Sequence, residues 1–169
     1  MVAYVVYVTY KFVLPLLHNY SRFIDNKVSI NGCIMINEGK LKNLWILIVD
    51  DEANARDMVS FMLQINGAKV TTARSAVEAL DVLKNTSELK SPPDVIISDI
   101  GMPNEDGYAL IEKIRALPIT EVSEIPAIAL TAFNQPEDKQ SAMEAGFQIH
   151  LGKPIEPDIL ISAICEVID

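Results

Sequence analysis

From residue 44 onward, apolar and polar positions alternate between two periods. Trp45-Ile46-Leu47-Ile48-Val49 is an unbroken apolar run that ends in three acids. Such a run fits a strand buried on both faces, as in a parallel sheet. Over 54–65 the apolar residues Ala55, Met58, Val59, Met62 and Leu63 recur at helical spacing, and Asn66-Gly67 supplies the stop. A short strand follows over 68–72. Ser75 then reads as a helix N-cap with Glu78 as its capping-box partner, and Ala76, Ala79, Leu80 and Leu83 form that helix's apolar face.

The alternation continues to the end of the chain. A polar loop covers 84–93, and Val95-Ile96-Ile97-Ser98 is a third buried strand ending at Asp99. Asp106-Gly107 opens a helix through about Ala116. Ala127-Ile128-Ala129-Leu130 is a fourth strand ending at Thr131. A helix over 136–145 closes on Gly146, a fifth strand covers 147–151 and a last helix 157–167. Five strands alternating with five helices predict an α/β fold, a doubly wound five-stranded parallel sheet with right-handed crossovers. Function in such sheets sits beyond the carboxyl ends of the strands, near the switch in strand order.

The strand ends carry a consistent chemistry. Strand one ends in Asp50-Asp51-Glu52, strand three in Asp99 and strand four in Thr131, while Lys153-Pro154 follows strand five. Taken alone, each is ordinary loop chemistry or a cap. Together, on one edge of a parallel sheet, they form a site. Clustered carboxylates repel one another and need a cation, and an oxygen-only set suits Mg²⁺. A lysine ammonium balances charge and holds a phosphoryl oxygen, and a threonine hydroxyl adds a neutral donor. An aspartate in that setting is a nucleophile toward phosphorus.

These motifs resemble a response-regulator receiver domain over residues 43–169. The matching stretches are Ile48-Val49-Asp50-Asp51-Glu52, Asp94-Val95-Ile96-Ile97-Ser98-Asp99-Ile100-Gly101-Met102-Pro103, Asp106-Gly107-Tyr108, Ala129-Leu130-Thr131-Ala132, and Gly146-Phe147-Gln148-Ile149-His150-Leu151-Gly152-Lys153-Pro154. The chain looks most like the receivers fused to hybrid sensor histidine kinases. The resemblance implies that Asp99 accepts a phosphoryl group from a phosphohistidine. It implies Mg²⁺ held by Asp51, Asp99 and the backbone carbonyl of Gly101, with Asp50 reaching it through water. Lys153 would contact the acyl phosphate, and Thr131 would move to bond it, biasing a two-state surface. A cis peptide would precede Pro154. The implied partners are a sensor histidine kinase or histidine phosphotransfer protein and a downstream protein target. A cytoplasmic signalling protein is implied, one that catalyses only its own phosphorylation and dephosphorylation and is no conventional enzyme.

Two departures from the family pattern stand out. His150 occupies the position of the usual switch Tyr or Phe, which adds a group that titrates near neutral pH. Gly101 and Phe133 stand where the family tunes hydrolysis, and neither offers a group to position water. A long-lived phosphoryl group is the expectation.

Charge divides the chain. Among 169 residues with net charge −9, residues 1–42 carry five bases and two acids, whereas 43–169 carry nine bases and 21 acids. The repulsive overall field argues against nucleic-acid binding through this chain. Residues 1–42 therefore read as an N-terminal extension distinct from the receiver. Its first 17 residues are mostly apolar but short for a membrane span, and Lys11 and Pro15 interrupt them. Lys11 also stands in the wrong place for a secretory signal. A membrane contact through residues 1–17 is the less favoured reading, and Ile30-Asn31-Gly32-Cys33 only faintly suggests a lipoprotein site. Tyr10-Lys11-Phe12-Val13-Leu14-Pro15-Leu16 is similar to the closing strand of a histidine-kinase ATPase domain, whose ATP-binding boxes are absent. Cys33 and Cys165 form no CxxC pair, which argues against a zinc site or a disulfide framework.

Two other functions compete. A haloacid-dehalogenase-like phosphatase also uses an Asp nucleophile with Mg²⁺, but neither Asp50-Asp51-Glu52-Ala53 nor Asp99-Ile100-Gly101 supplies its Asp-x-Asp motif. A receiver-like interaction module that is never phosphorylated has less need of the acids and lysine, all of which this chain keeps.

Overall fold

The computed structural model describes residues 39–85, 91–132 and 136–168. The expectations for residues 1–38, Cys33 among them, and for Phe133 lie outside the described residues. Five strands are described: β1 (Trp45–Val49), β2 (Lys69–Ala73), β3 (Val95–Asp99), β4 (Ala127–Thr131) and β5 (Ile149–Gly152). The helices are α1 (Ala53–Ile65), α2 (Ala76–Asn85), α3 (Gly107–Arg115), α4 (Thr120–Ser123), α5 (Pro136–Ala145) and α6 (Pro157–Ile168). Every strand pairing is parallel, in the order β2-β1-β3-β4-β5. Order reverses between β1 and β3, which register as Ile46 on Val95 through Val49 on Ser98.

Period-two alternation gives the sheet two cores. Leu47, Val49, Ile96, Ala127 and Ala129 pack with α2, α3 and α5. Ile46, Ile48, Val95, Ile97, Ile128 and Leu130 pack with Val59 and Leu63 of α1 and Leu160, Ile161 and Ile164 of α6. Each fully buried Ile or Leu contributes roughly 1.5–3 kcal/mol relative to exposure. The second core reaches back to Leu41, which is fully buried and whose N–H donates to Asn66 O at 3.3 Å.

Local chemistry sets the helix ends. The Asp106 side chain caps α3 by accepting from Ala109 N at 2.8 Å. Gly67 after α1 and Gly146 after α5 take φ +94° and +111°, the left-handed region that glycine enters without penalty.

Three expectations need correction. Among the described residues six helices flank the sheet rather than five, because Thr120–Ser123 makes a single extra turn. One turn is too short to show a helical period, so its sequence reads as loop. The capping box at α2 is half formed: Ser75 Oγ accepts from Glu78 N at 3.3 Å, but Glu78 Oε2 accepts from Arg74 N at 2.9 Å, one residue before the cap. Strands two and five also lie further along the chain than predicted, at Lys69–Ala73 and Ile149–Gly152.

Candidate functional site

The site is built at the β1/β3 boundary, where strand order reverses. Asp50 follows β1 and Asp99 ends β3, so pairing of those neighbours brings the two carboxylates side by side. Oxygens of Asp50, Asp51 and Asp99 all lie within 4.8 Å of one another. Asp50 is buried at 2% exposure, Asp99 is half-buried and Asp51 is exposed.

Asp50 is held at every polar group. Its N–H donates to Ala73 O at 3.1 Å. Its Oδ1 accepts from Glu52 N at 2.8 Å, and its Oδ2 from Lys153 Nζ at 2.8 Å. Its carbonyl accepts from Arg56 Nη1 at 2.7 Å. Asp99 is held more loosely, with Oδ1 accepting from Gly101 N at 3.3 Å and Oδ2 standing 3.2 Å from Lys153 Nζ.

Lys153 reaches these acids because its own backbone is tied to β4, its N–H donating to Thr131 O at 2.7 Å. The peptide between Lys153 and Pro154 is cis. Burial pulls the ammonium down, but the hydrogen bond and charge of Asp50 and the charge and hydrogen bond of Asp99 outweigh it. Lys153 therefore stands above the ordinary lysine range.

Thr131 is buried at the end of β4. His150 pairs with Ala129 across β4 and β5, one alternation back from Thr131 on Gly152, so the two share a face of the sheet. His150 is half-buried, and its Nε2 has no hydrogen-bond partner among the described residues. Gly101 is exposed, and a Cβ there would meet nothing within 4 Å. Gly107 is the opposite case. A Cβ there would collide with Asp99 O and stand 2.9 Å from Ile100 Cα, so only glycine lets α3 start against the strand that ends in Asp99.

Sequence reasoning missed two arginines. Arg56, four residues after Glu52, turns back to the Asp50 carbonyl. Its signal was its place one turn into the helix that follows the acids. Arg115, on the far side of the fold, donates to the carbonyls of Ser123 at 2.7 Å, Ile125 at 2.8 Å and Gly146 at 2.8 Å. Burial lowers its pKa, and no pattern in the chain announced it.

This geometry can hold one hard divalent cation and one phosphoryl group. The donors are oxygen only, and the single lysine leaves two acids partly uncompensated, so the set fits Mg²⁺ in donor type and charge.

Comparison with known proteins agrees with the fold. The sequence model of the family described as response regulator receiver domain matches residues 46–165, and the chain belongs to that family. It is 43% identical over 124 residues to an uncharacterized 14.6 kDa protein of Leptolyngbya boryana, covering 73% of this chain and 89% of that one. It is 36% identical over 118 residues to the sensor histidine kinase RcsC of Salmonella typhimurium, covering 70% of this chain but only 12% of the kinase. Among solved structures it resembles the chemotaxis protein CheY4 of Vibrio cholerae, with TM-score 0.65 and 34% identity over 74% of this chain and 98% of that one. Receiver domains are signalling modules of two-component systems that interact with histidine kinases or phosphotransfer proteins. No helix among the described residues is long and apolar enough to cross a membrane.

Proposed function

We propose that this chain is a phosphoacceptor of a two-component phosphorelay, with Asp99 taking the phosphoryl group. The observation that carries this reading is the convergence of Asp50, Asp51, Asp99 and Lys153 at the switch point of the sheet.

In the proposed reaction an Asp99 carboxylate oxygen attacks the phosphorus of a phosphohistidine. The new P–O bond forms as the P–N bond breaks. The imidazole leaves with the electron pair and takes up a proton, and the product is an acyl phosphate. Lys153, whose ammonium is paired with Asp50, would hold a phosphoryl oxygen. Asp51, Asp99 and the Gly101 carbonyl would hold Mg²⁺, with Asp50 reaching it through water. The bound ion would supply charge neutralisation for the phosphoryl oxygens. Thr131 would then bond the phosphoryl group, and His150, on the same face, would follow it and alter a partner-binding surface. The proposed partners are a histidine kinase or phosphotransfer protein and a downstream protein target. We assign the switching domain to residues 43–169 and leave residues 1–42 as an extension.

The test uses a phosphorylated histidine phosphotransfer protein as donor. Transfer to the chain with Mg²⁺, lost with a chelator and lost in Asp51→Asn, is the expected result. Transfer that ignores both would overturn the reading.

A further inference from the structure

We propose that Arg56 is a positioning residue for the cation site. It would fix the peptide unit that carries Asp51. The inference rests on the reading above, in which Asp51 is a metal ligand.

The argument begins with Asp51 itself. Its carboxylate makes no hydrogen bond or ion pair with any described residue, and the side chain is exposed. Nothing on the side chain therefore fixes where its oxygens stand, and its backbone must do so. The peptide unit entering Asp51 ends in the Asp50 carbonyl, and Arg56 Nη1 donates to that oxygen at 2.7 Å. The bond is charge-assisted and short. Arg56 is itself held in the first turn of α1, its N–H donating to Glu52 O at 3.0 Å. Lys153 and Glu52 N hold the Asp50 carboxylate, and Ala73 O holds its N–H. Without Arg56 the Asp50 carbonyl would lose its side-chain anchor, and the peptide plane could rotate. Asp51 would then swing relative to Asp99. Mg²⁺ requires near-ideal octahedral geometry, so it tolerates such freedom poorly.

A purely electrostatic role makes the opposite forecast. A guanidinium beside a cation site repels the cation, so removing it would tighten Mg²⁺ binding. Positioning forecasts weaker binding, and the sign separates the two roles. Supporting residues around metal ligands typically account for about 10–100-fold in affinity.

The test is calorimetric titration of MgCl₂ into wild type, Arg56→Met and Arg56→Lys at fixed ionic strength, with Asp51→Asn as the site control. The expected result is saturable binding by wild type, about tenfold weaker binding by Arg56→Met, and a smaller loss in Arg56→Lys. Phosphorylation of Arg56→Met should recover at saturating Mg²⁺, because Arg56 touches no reacting atom. Unchanged or tighter binding in a folded Arg56→Met overturns the proposal. Should that variant not fold, Arg56→Lys decides, and affinity equal to wild type overturns it. Absence of saturable binding in wild type overturns the reading of the site, and this proposal with it.

Discussion

Lys153 and Asp50 lie 103 residues apart in the chain, and Lys153 Nζ donates to Asp50 Oδ2 at 2.8 Å. Asp50 is 2% exposed, so removing the ammonium would leave a buried carboxylate without its counter-charge. Lys153→Met is expected to cost about 2 kcal/mol in metal-free buffer, below the cost of breaking a fully buried pair because the lysine is partly solvated. Lys153 is raised above 10.5, so its contribution is complete below that pH and lost as pH rises through the folded value. Thermal unfolding of both proteins from neutral pH to pH 11 checks this. The gap should be flat near neutrality and begin to narrow at the alkaline end, and a gap that opens with rising pH contradicts the pairing.

Gly107 touches the backbone of the strand that delivers Asp99. Gly107→Ala forces its Cβ onto Asp99 O and Ile100 Cα, neither of which is the end of a flexible side chain. A loss of about 2–3 kcal/mol is expected, as for overpacked sites. Chemical denaturation measures it. Phosphoacceptance should fall as well, since α3 or Asp99 must shift.

Gly101 has free space around it and a φ outside the left-handed region. Gly101→Asn should therefore fold as wild type does. Its amide would stand two residues from Asp99 and could orient a water toward the acyl phosphate. Wild type is expected to hold its phosphoryl group well beyond seconds, and Gly101→Asn to lose it several-fold faster. Decay followed by intact mass distinguishes them. Equal rates would show that this position does not govern hydrolysis.

His150 keeps Nε2 buried with no hydrogen-bond partner among the described residues. Replacing an unsatisfied polar atom by an apolar ring of similar shape removes a desolvation cost. His150→Phe is expected to raise stability by about 1 kcal/mol, read from denaturant midpoints. A clear destabilisation would mean that Nε2 is bonded in solution.

Much of this was legible in the chain because burial and strand ends leave strong signals. Runs such as Ile46 to Val49 and Val95 to Ile97 marked the strands, and Asp50 and Asp99 just beyond them marked the candidate site, because parallel strands end on one edge. The unread parts lack periodicity. α4 is one turn long. Arg115 acts on backbone carbonyls, and an acceptor that every residue carries leaves no mark in sequence, whereas Arg56 was marked only by its place one turn after the acids. Glu78 Oε2 bonds Arg74 N and lies 3.6 Å from Arg74 Nε rather than completing its box, a charge partner that the box pattern does not include.

The most direct test of the central claim is intact mass after incubation with Mg²⁺ and acetyl phosphate, on wild type and Asp99→Asn. A gain of one phosphoryl group in wild type alone is the predicted result. No gain in folded, Mg²⁺-loaded wild type, or an equal gain in Asp99→Asn, would contradict it. The first outcome would favour an interaction module that is never phosphorylated, and the second a different acceptor.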